Sequence, residues 1–433
     1  MTASRLPIAN GNDILARLAE CAGNHGDSGF LRSLFGDFTK AALNGTTPVV
    51  LFGTGAVGTE LCQVLQLHGV QPVCFCDNNP TRIGQVYHGV TVVPFAELQQ
   101  THRNSLIVAA SAKYASEIQS QLQEHGFPAE RIVSIAPILS PELLGYYQHC
   151  CWYTLNPKHA LSLADLQQDR EELAQAYDLL EDQRSRDLFI ARLALFTSPL
   201  DFSNYSQYIR DHSELNETKR DSFPFYVSPE DYGYFNNEVV HLREGEILVD
   251  GGAYNGLSAA TFAKTCEDNS LTYGGIYCFE PDSGNFTVLQ QNTSRLHDTH
   301  CIQRGLWSHQ TTLTFLSTKE CDPAAFLECC GNTDIEECAY RIEIPTTSID
   351  EQFPDQEITF IKMDVEGAET EAIRGAAGTI RRCQPKLAIS AYHKHSDLYK
   401  LPLLIRSLNP DYKFYLRHYG YTLFDMVLFA IPS

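Results

Sequence analysis

Basic residues are scarce in this chain of 433 residues: 32 Lys and Arg stand against 53 Asp and Glu, a formal net charge of −21 at pH 7. A protein that grips nucleic acid or an anionic membrane needs a basic face, so neither partner is expected. Long apolar runs are missing too, and none reaches the roughly 20 residues that span a bilayer. The opening stretch MTASRLPIANGNDILARLAE has no apolar signal-peptide core, so a cytoplasmic location is expected. No low-complexity tract and no internal repeat stands out. Cysteine is plentiful by contrast, with 14 residues, but they are scattered, as suits reduced and buried thiols. Cys321, Cys329, Cys330 and Cys338 crowd one acidic stretch. Their spacings do not match the short cysteine pairs of zinc sites, so an inserted loop or short helix is expected there.

Hydrophobic residues make up 43% of the chain, enough for two or three cored domains. Residues 1–45 read as a polar helical leader. Residues 46–141 alternate strands and helices: VVLF, a glycine turn, TELCQVLQLHG, then VQPVCFC. Further strands are expected at Val90–Val93, Ser105–Ala110 and Arg131–Ile135, with a helix from Lys113 to His125. That alternation predicts a parallel, Rossmann-like sheet. Residues 142–235 form a connector, first amphipathic helix at three- and four-residue spacing, then aromatic-rich. Residues 236–433 make a second α/β unit with strands at Glu246–Val249, Gly275–Phe279, His300–Gln303, Ile358–Met363, Lys386–Ser390, Tyr412–Leu416 and Thr422–Ala430. Seven strands ending in an antiparallel pair predict the seven-stranded variant of the doubly wound sheet, and an extra strand, Thr312–Leu316, is placed at the domain's edge. The fold class is therefore α/β, with two doubly wound sheets joined by a helical connector.

The strongest motif is VDGGAYNG, residues 249–256, followed by YCFEPDSGNF. An apolar strand runs into Asp250 and a glycine turn, and a second strand ends on Glu280. Glycines let backbone approach a ligand, and a carboxylate at the second strand end can grip two ribose hydroxyls. Asp250 stands where a dinucleotide fold usually has glycine. A carboxylate there repels a pyrophosphate and suits a cation, which points to S-adenosylmethionine. Asp250, otherwise an unpartnered carboxylate, is placed at the methionine end. The backbone of Gly252, Ala253, Asn255 and Gly256 is placed along the cofactor, and Glu280 on the ribose. Pro281, Asn285 and Phe286 fall near the adenosine, as do Gly305, Leu306 and Trp307, with packing an equal reading for the tryptophan.

Two further strand ends carry chemistry. FIKM delivers Asp364 at its carboxyl end, where open α/β sheets place their ligands. Glu366 and Glu369 follow on a turn into a helix, where capping is an equal reading. After the next strand come His393 and His395, and on an extended chain this two-residue spacing would put both imidazoles on one face. Methylation of a hydroxyl requires removal of its proton, for which Asp364 or His393 is the candidate base. Asp364, Glu366 and His393 could instead hold Mg²⁺ against a diol, but the residues alone do not call for a metal. Tyr232, Tyr234 and Phe235 lie directly before the cofactor strand and are placed over the cofactor or the acceptor.

VDGGAYNG, FEPDSGNF, the TTSID and FIKMDVEGAE strings and PKLAISAYHKHSDL, in that order, resemble the FkbM-type methyltransferase family over roughly residues 225–433. The resemblance implies S-adenosylmethionine as cofactor and hydroxyl groups of polyketides or surface sugars as acceptors. It carries over Asp250, Gly252, Gly256 and Glu280 to the cofactor, and Asp364, Glu366 and Glu369 as motif positions of unassigned role. The cysteine-bearing insertion departs from it.

The first α/β unit carries G-x-G-x-x-G at Gly53, Gly55 and Gly58, and Asp77 ends the next strand, a dinucleotide-type fingerprint. DNNPTRIGQVYHGVTVVP is similar to the nucleotide-binding domains of bacterial sugar acetyltransferases, which implies a UDP-sugar. A nicotinamide site and a purely structural domain remain open alternatives. The expected activity is thus methyl transfer to a hydroxyl of a sugar, glycan or related metabolite. The rivals are a nucleotide-sugar enzyme or oxidoreductase working through the first unit, and a non-catalytic cofactor-binding protein.

Overall fold

The structure, a computed structural model, describes residues 11–22, 29–111, 114–134, 162–197, 208, 233–317, 326–327, 340–418 and 426–433. Tyr232 and the four clustered cysteines lie outside them.

The first unit holds strands β1 (Val49–Phe52), β2 (Cys74–Cys76), β3 (Val86–Tyr87), β4 (Val90–Val93), β5 (Leu106–Ala109) and β6 (Ile132–Ser134). They form one sheet in the order β3-β4-β2-β1-β5-β6, parallel except for the β3–β4 hairpin. VVLF and LIVA are buried at every position, the unbroken apolar pattern of strands covered on both faces. The helices expected after β1 and before β6 run Ala56–Leu67 and Ala115–Glu124.

The second unit adds β7 (Glu246–Gly251), β8 (Tyr273–Phe279), β9 (Thr299–Ile302), β10 (Gly305–Leu306), β11 (Thr312–Ser317), β12 (Phe326–Leu327), β13 (Tyr340–Thr347), β14 (Phe360–Met363), β15 (Lys386–Ser390), β16 (Tyr412–His418) and β17 (Met426–Pro432). Seven of these make a sheet in the order β16-β17-β15-β14-β7-β8-β9, in which β17 is antiparallel to both its neighbours and the rest are parallel. From β7 the chain moves outward to β8 and β9, then returns to place β14 on the other side of β7. The junction of β7 and β14 is therefore the topological switch point, where such sheets bind ligands.

The extra strand expected at Thr312–Leu316 is present, as β11. It belongs to a separate four-stranded sheet, β10-β13-β11-β12, because β13 pairs with it antiparallel from Tyr340 to Pro345.

Leader and connector helices do not stand apart. Helices Ile14–Ala22, Arg170–Leu179 and Gln183–Thr197 share one contiguous buried cluster with Val49, Leu51, Leu398 and Ile405. The connector also covers the outer strand of the large sheet. Leu180 bridges to Phe414, the Glu181 N–H donates to the Phe414 carbonyl at 3.0 Å, and Leu416 N–H donates to Ser185 Oγ at 2.9 Å. Buried Arg417 pairs with Asp182 at 2.7 Å and with Glu238.

Candidate active site

β7 ends in a turn whose backbone needs glycine at two places. Gly252 has φ +70° and Gly256 has φ +84°. A Cβ on Gly252 would lie 1.8 Å from the Asp364 carbonyl oxygen, and one on Gly256 would lie 2.8 Å from Thr293 and 2.9 Å from Leu289. Asn255 accepts from Asn292 Nδ2 through its carbonyl at 2.8 Å and, through Oδ1, from the Leu257 N–H that opens helix Leu257–Asp268. Ala253 is buried, and its N–H and that of Gly252 both donate to the Phe279 carbonyl at 3.0 Å.

Asp250 is fully buried, and it is not the unpartnered carboxylate expected from the sequence. Lys362 Nζ, from the facing strand β14, stands 3.1 Å from its Oδ1, and Ser258 Oγ donates to its Oδ2 at 2.5 Å. The same ammonium donates to the carbonyls of Gly252 at 2.9 Å and Gly251 at 3.3 Å. Burial works against the Lys362 charge, but the carboxylates of Asp250 and Asp364 more than offset it and raise its pKa. The reason is register: Lys362 pairs with Asp250 across β7 and β14, so their side chains share a face. The charge of Asp250 is thus answered from within the protein, and its part in the turn is first to fix Lys362 and the glycine backbone.

Glu280 closes β8. Its Oε2 accepts from Tyr254 N–H at 2.9 Å and its Oε1 from Asp282 N–H at 3.0 Å. Burial pushes its carboxyl up to about 7, against the pull of those two hydrogen bonds. Each carboxylate oxygen has more than one acceptor site, so the group can hold the turn and still receive two hydroxyls. Asp282 caps helix Ser283–Thr293 by accepting from Asn285 N–H at 2.8 Å, so Asn285 sits buried in the first turn while Phe286 packs on the core beneath. Gly305 approaches Pro281 and β13. Leu306 is core, and Trp307 packs against Ile344 and Ala368.

At the switch point the second group of residues gathers. Asp364 donates its N–H to the Gly251 carbonyl at 3.0 Å, and its Oδ1 accepts from Tyr392 OH at 2.9 Å. His393 Nδ1 lies 2.9 Å from Glu369 Oε1, while its Nε2 lies 3.3 Å from Glu366 Oε2 and 3.6 Å from Asp364 Oδ1. Burial alone would lower the His393 pKa, but Glu369 and Glu366 hold it well above the usual imidazole range. Glu369 is buried too, and the imidazole beside it keeps its carboxyl below the usual value. Glu369 also accepts from Val365 N–H at 3.1 Å at the start of helix Glu369–Arg374. Glu366 has φ +52° and Gly367 φ +91°, a bend that turns the Glu366 side chain back toward His393.

The pairing of His393 with His395 is a correction. β15 stops at Ser390, so the alternation of an extended chain does not apply beyond it. His393 turns to the carboxylates, whereas the His395 ring packs edge-on at 4.1 Å against Phe196 of the connector. Phe235 is likewise not a cover: it is core, between Phe262 and Phe360 at 5.2 and 5.3 Å. Tyr234 is buried with its ring 5.8 Å from Lys362 Nζ. Sequence reasoning gave no role to Lys362, Ser258 or Tyr392. A lysine inside an apolar strand opposite an aspartate was the one available signal, for Lys362.

In the first unit the fingerprint folds as such. Gly53 has φ +118°, a Cβ on Gly58 would meet the Gly53 carbonyl oxygen at 2.0 Å, and nothing lies within 4 Å of one on Gly55. Asp77 is half-buried and holds the turn: Oδ2 accepts from Thr54 N–H at 2.9 Å and Thr54 Oγ1 at 2.5 Å, and Oδ1 from Asn79 N–H at 2.8 Å. Arg82 Nη1 donates to the Thr54 carbonyl at 2.6 Å.

Residues 250–423 match the family model described as the methyltransferase FkbM domain. Residues 46–133 match one described as C2185-like, N-terminal. Among solved structures, the chain is similar to methyltransferase FkbM from Methylobacillus flagellatus KT. That match has a TM-score of 0.57 and 20% identity, and covers 97% of this chain and 99% of that one. An rRNA methylase from Streptococcus thermophilus matches at TM-score 0.28 and 15% identity, over 49% of this chain and 99% of that one. Aeropyrum pernix fibrillarin in complex with S-adenosyl-L-methionine matches at TM-score 0.28 and 12% identity, over 47% of this chain and 76% of that one. Comparison with curated proteins gave no match. No helix among the described residues is long and apolar enough to cross a membrane.

Proposed function

Starting from the FkbM methyltransferase domain that residues 250–423 form, we propose that this S-adenosylmethionine-dependent methyltransferase acts on a hydroxyl group of a sugar, glycan or related metabolite. The observation that carries this reading is the joining of two half-sites through backbone: the Asp364 carbonyl packs on Gly252, which brings the cofactor turn and Asp364 side by side. Glu280, with acceptor capacity left after holding Tyr254 and Asp282, would take the ribose hydroxyls. The turn from Gly252 through Ala253 and Asn255 to Gly256 would lie along the cofactor, with Pro281 and Asn285 toward the adenosine. When bound, S-adenosylmethionine supplies an electrophilic methyl group.

Asp364 is the residue suited to receive the acceptor's proton. Its side chain is 27% exposed, and Tyr392 fixes it at 2.9 Å. His393, held between Glu369 and Glu366, whose carboxylates raise its pKa, is less suited to that role. It serves instead to position the carboxylates. Most of the acceleration would come from holding acceptor and methyl donor in line and excluding water.

For the first unit we propose a nucleotide-sugar at Gly53, Gly55, Gly58 and Asp77. The open approach at Gly55 supports it, and it would suit a sugar acceptor in the second unit. No nucleic-acid or membrane partner is proposed, in keeping with the acidic charge.

Calorimetry with S-adenosylmethionine, NAD and a UDP-sugar tests the reading, followed by mass spectrometry of glycans and small metabolites from cells with and without the gene. Binding of S-adenosylmethionine and one missing methyl are expected. If NAD or a UDP-sugar binds and S-adenosylmethionine does not, the reading is wrong.

A further inference from the structure

We propose that Asp364, Glu366 and His393 hold a divalent metal ion at the switch point, against the cofactor turn. The three offer two carboxylate oxygens and one imidazole nitrogen, all within 4.8 Å of one another. Neighbouring ligands bonded to one metal at about 2.0–2.2 Å lie about 3.0–3.6 Å apart by simple geometry. His393 Nε2 lies 3.3 Å from Glu366 Oε2 and 3.6 Å from Asp364 Oδ1, within that interval.

The imidazole is also oriented as a metal ligand is. Its Nδ1 stands 2.9 Å from the fully buried carboxylate of Glu369, which sets the ring with Nε2 toward the other two carboxylates. A carboxylate behind a histidine is the usual support of a metal-bound imidazole. Nδ1 and Nε2 are both buried, and although each faces a carboxylate oxygen, neither meets hydrogen-bond geometry. A buried polar atom without a hydrogen bond calls for an explanation, and an ion between Nε2 and the two oxygens supplies one. Asp364 and Glu366 are 27% and 31% exposed in their side chains, so their outer side is open to water or to an acceptor oxygen.

A mixed oxygen and nitrogen set suits Mn²⁺ or Zn²⁺ better than Mg²⁺. Resting on the methyltransferase reading, the ion would bind the acceptor's hydroxyl oxygen and ease loss of its proton. The O–H bond breaks, the ion holds the oxygen, and the proton passes to the Asp364 oxygen that does not bind the metal.

The test is titration of the full chain with Mn²⁺, followed by electron paramagnetic resonance, with S-adenosylmethionine titrated into the same preparation. One saturable Mn²⁺ per chain is expected, with a pulsed-resonance coupling to a directly bound imidazole nitrogen. In Glu366→Gln, checked for folding by circular dichroism, affinity should fall by about tenfold or more. Absence of saturable binding, absence of the nitrogen coupling, or unchanged affinity in folded Glu366→Gln would each overturn the proposal. The nitrogen coupling is read in the wild-type chain and does not depend on the variant folding. Intact S-adenosylmethionine binding beside failed Mn²⁺ binding sinks the metal alone, while the reverse result sinks the methyltransferase reading.

Discussion

The carbonyl oxygen of Asp364 lies 1.8 Å from the point where a β-carbon on Gly252 would stand. Strands β7 and β14 thus meet beyond their ends through bare backbone, at a residue with φ +70°. Gly252→Ala must move Asp364 and adopt a left-handed conformation, a cost of at least about 1–3 kcal/mol. The expected result is a lower thermal midpoint together with a loss of S-adenosylmethionine affinity. Wild-type affinity in this variant would show that the two half-sites are not coupled.

Gly55→Ala makes the opposite prediction. Its φ of −72° suits any residue and its β-carbon would meet nothing within 4 Å, so stability should change by less than about 0.5 kcal/mol. Binding of a UDP-sugar to the first unit should nevertheless weaken, because the added methyl fills the ligand's approach. A calorimetric titration in which the variant binds like wild type would remove Gly55 from that site.

Asp250 and Lys362 should behave as a unit. Lys362→Met leaves a buried carboxylate and Asp250→Asn leaves a buried ammonium, each costing on the order of 3–5 kcal/mol. The double variant should cost less than the two singles together, as urea denaturation of the four proteins would measure. Additive losses would mean that the 3.1 Å contact carries no coupling.

Glu280 predicts opposite pH trends for binding and stability. Its folded carboxyl titrates at about 7 against an ordinary 4.5. Between those values the folded chain binds more protons than the unfolded one, so this group's contribution to stability falls as pH rises. The ionised form is the better acceptor for ribose hydroxyls, so S-adenosylmethionine affinity should rise through pH 7. Glu280→Gln should flatten both trends, and a binding curve still rising in that variant would assign the effect elsewhere.

Asp364→Asn should lower methyl transfer by about 10²–10⁴ while S-adenosylmethionine affinity stays within a few fold. Wild-type turnover in this variant would exclude Asp364 as the proton acceptor.

Much of this was legible in the sequence, for reasons particular residues make plain. VVLF is apolar throughout, and FIKM and LAIS are apolar but for Lys362 and Ser390, so buried parallel strands could be placed to within a residue or two. Gly252 and Gly256 announced a turn because left-handed backbone favours glycine. The charge balance was not legible, since it depends on register across strands distant in sequence: Lys362 meets Asp250 only because β14 lies beside β7. His393 and His395 were misjudged together because β15 ends three residues before the first of them. The small sheet was missed because β13 reaches it only after the insertion that follows β11.

The connector's hold on Phe414 and Leu416 also bears on self-association. An exposed edge strand is a template for pairing with another chain, and on β16 the Phe414 carbonyl is occupied by Glu181 and the Leu416 amide by Ser185. Strand-to-strand assembly of copies through this side is thereby hindered, and among the described residues no strand pairs with the outer edge of β9, at the opposite margin of the large sheet, where strand addition could begin.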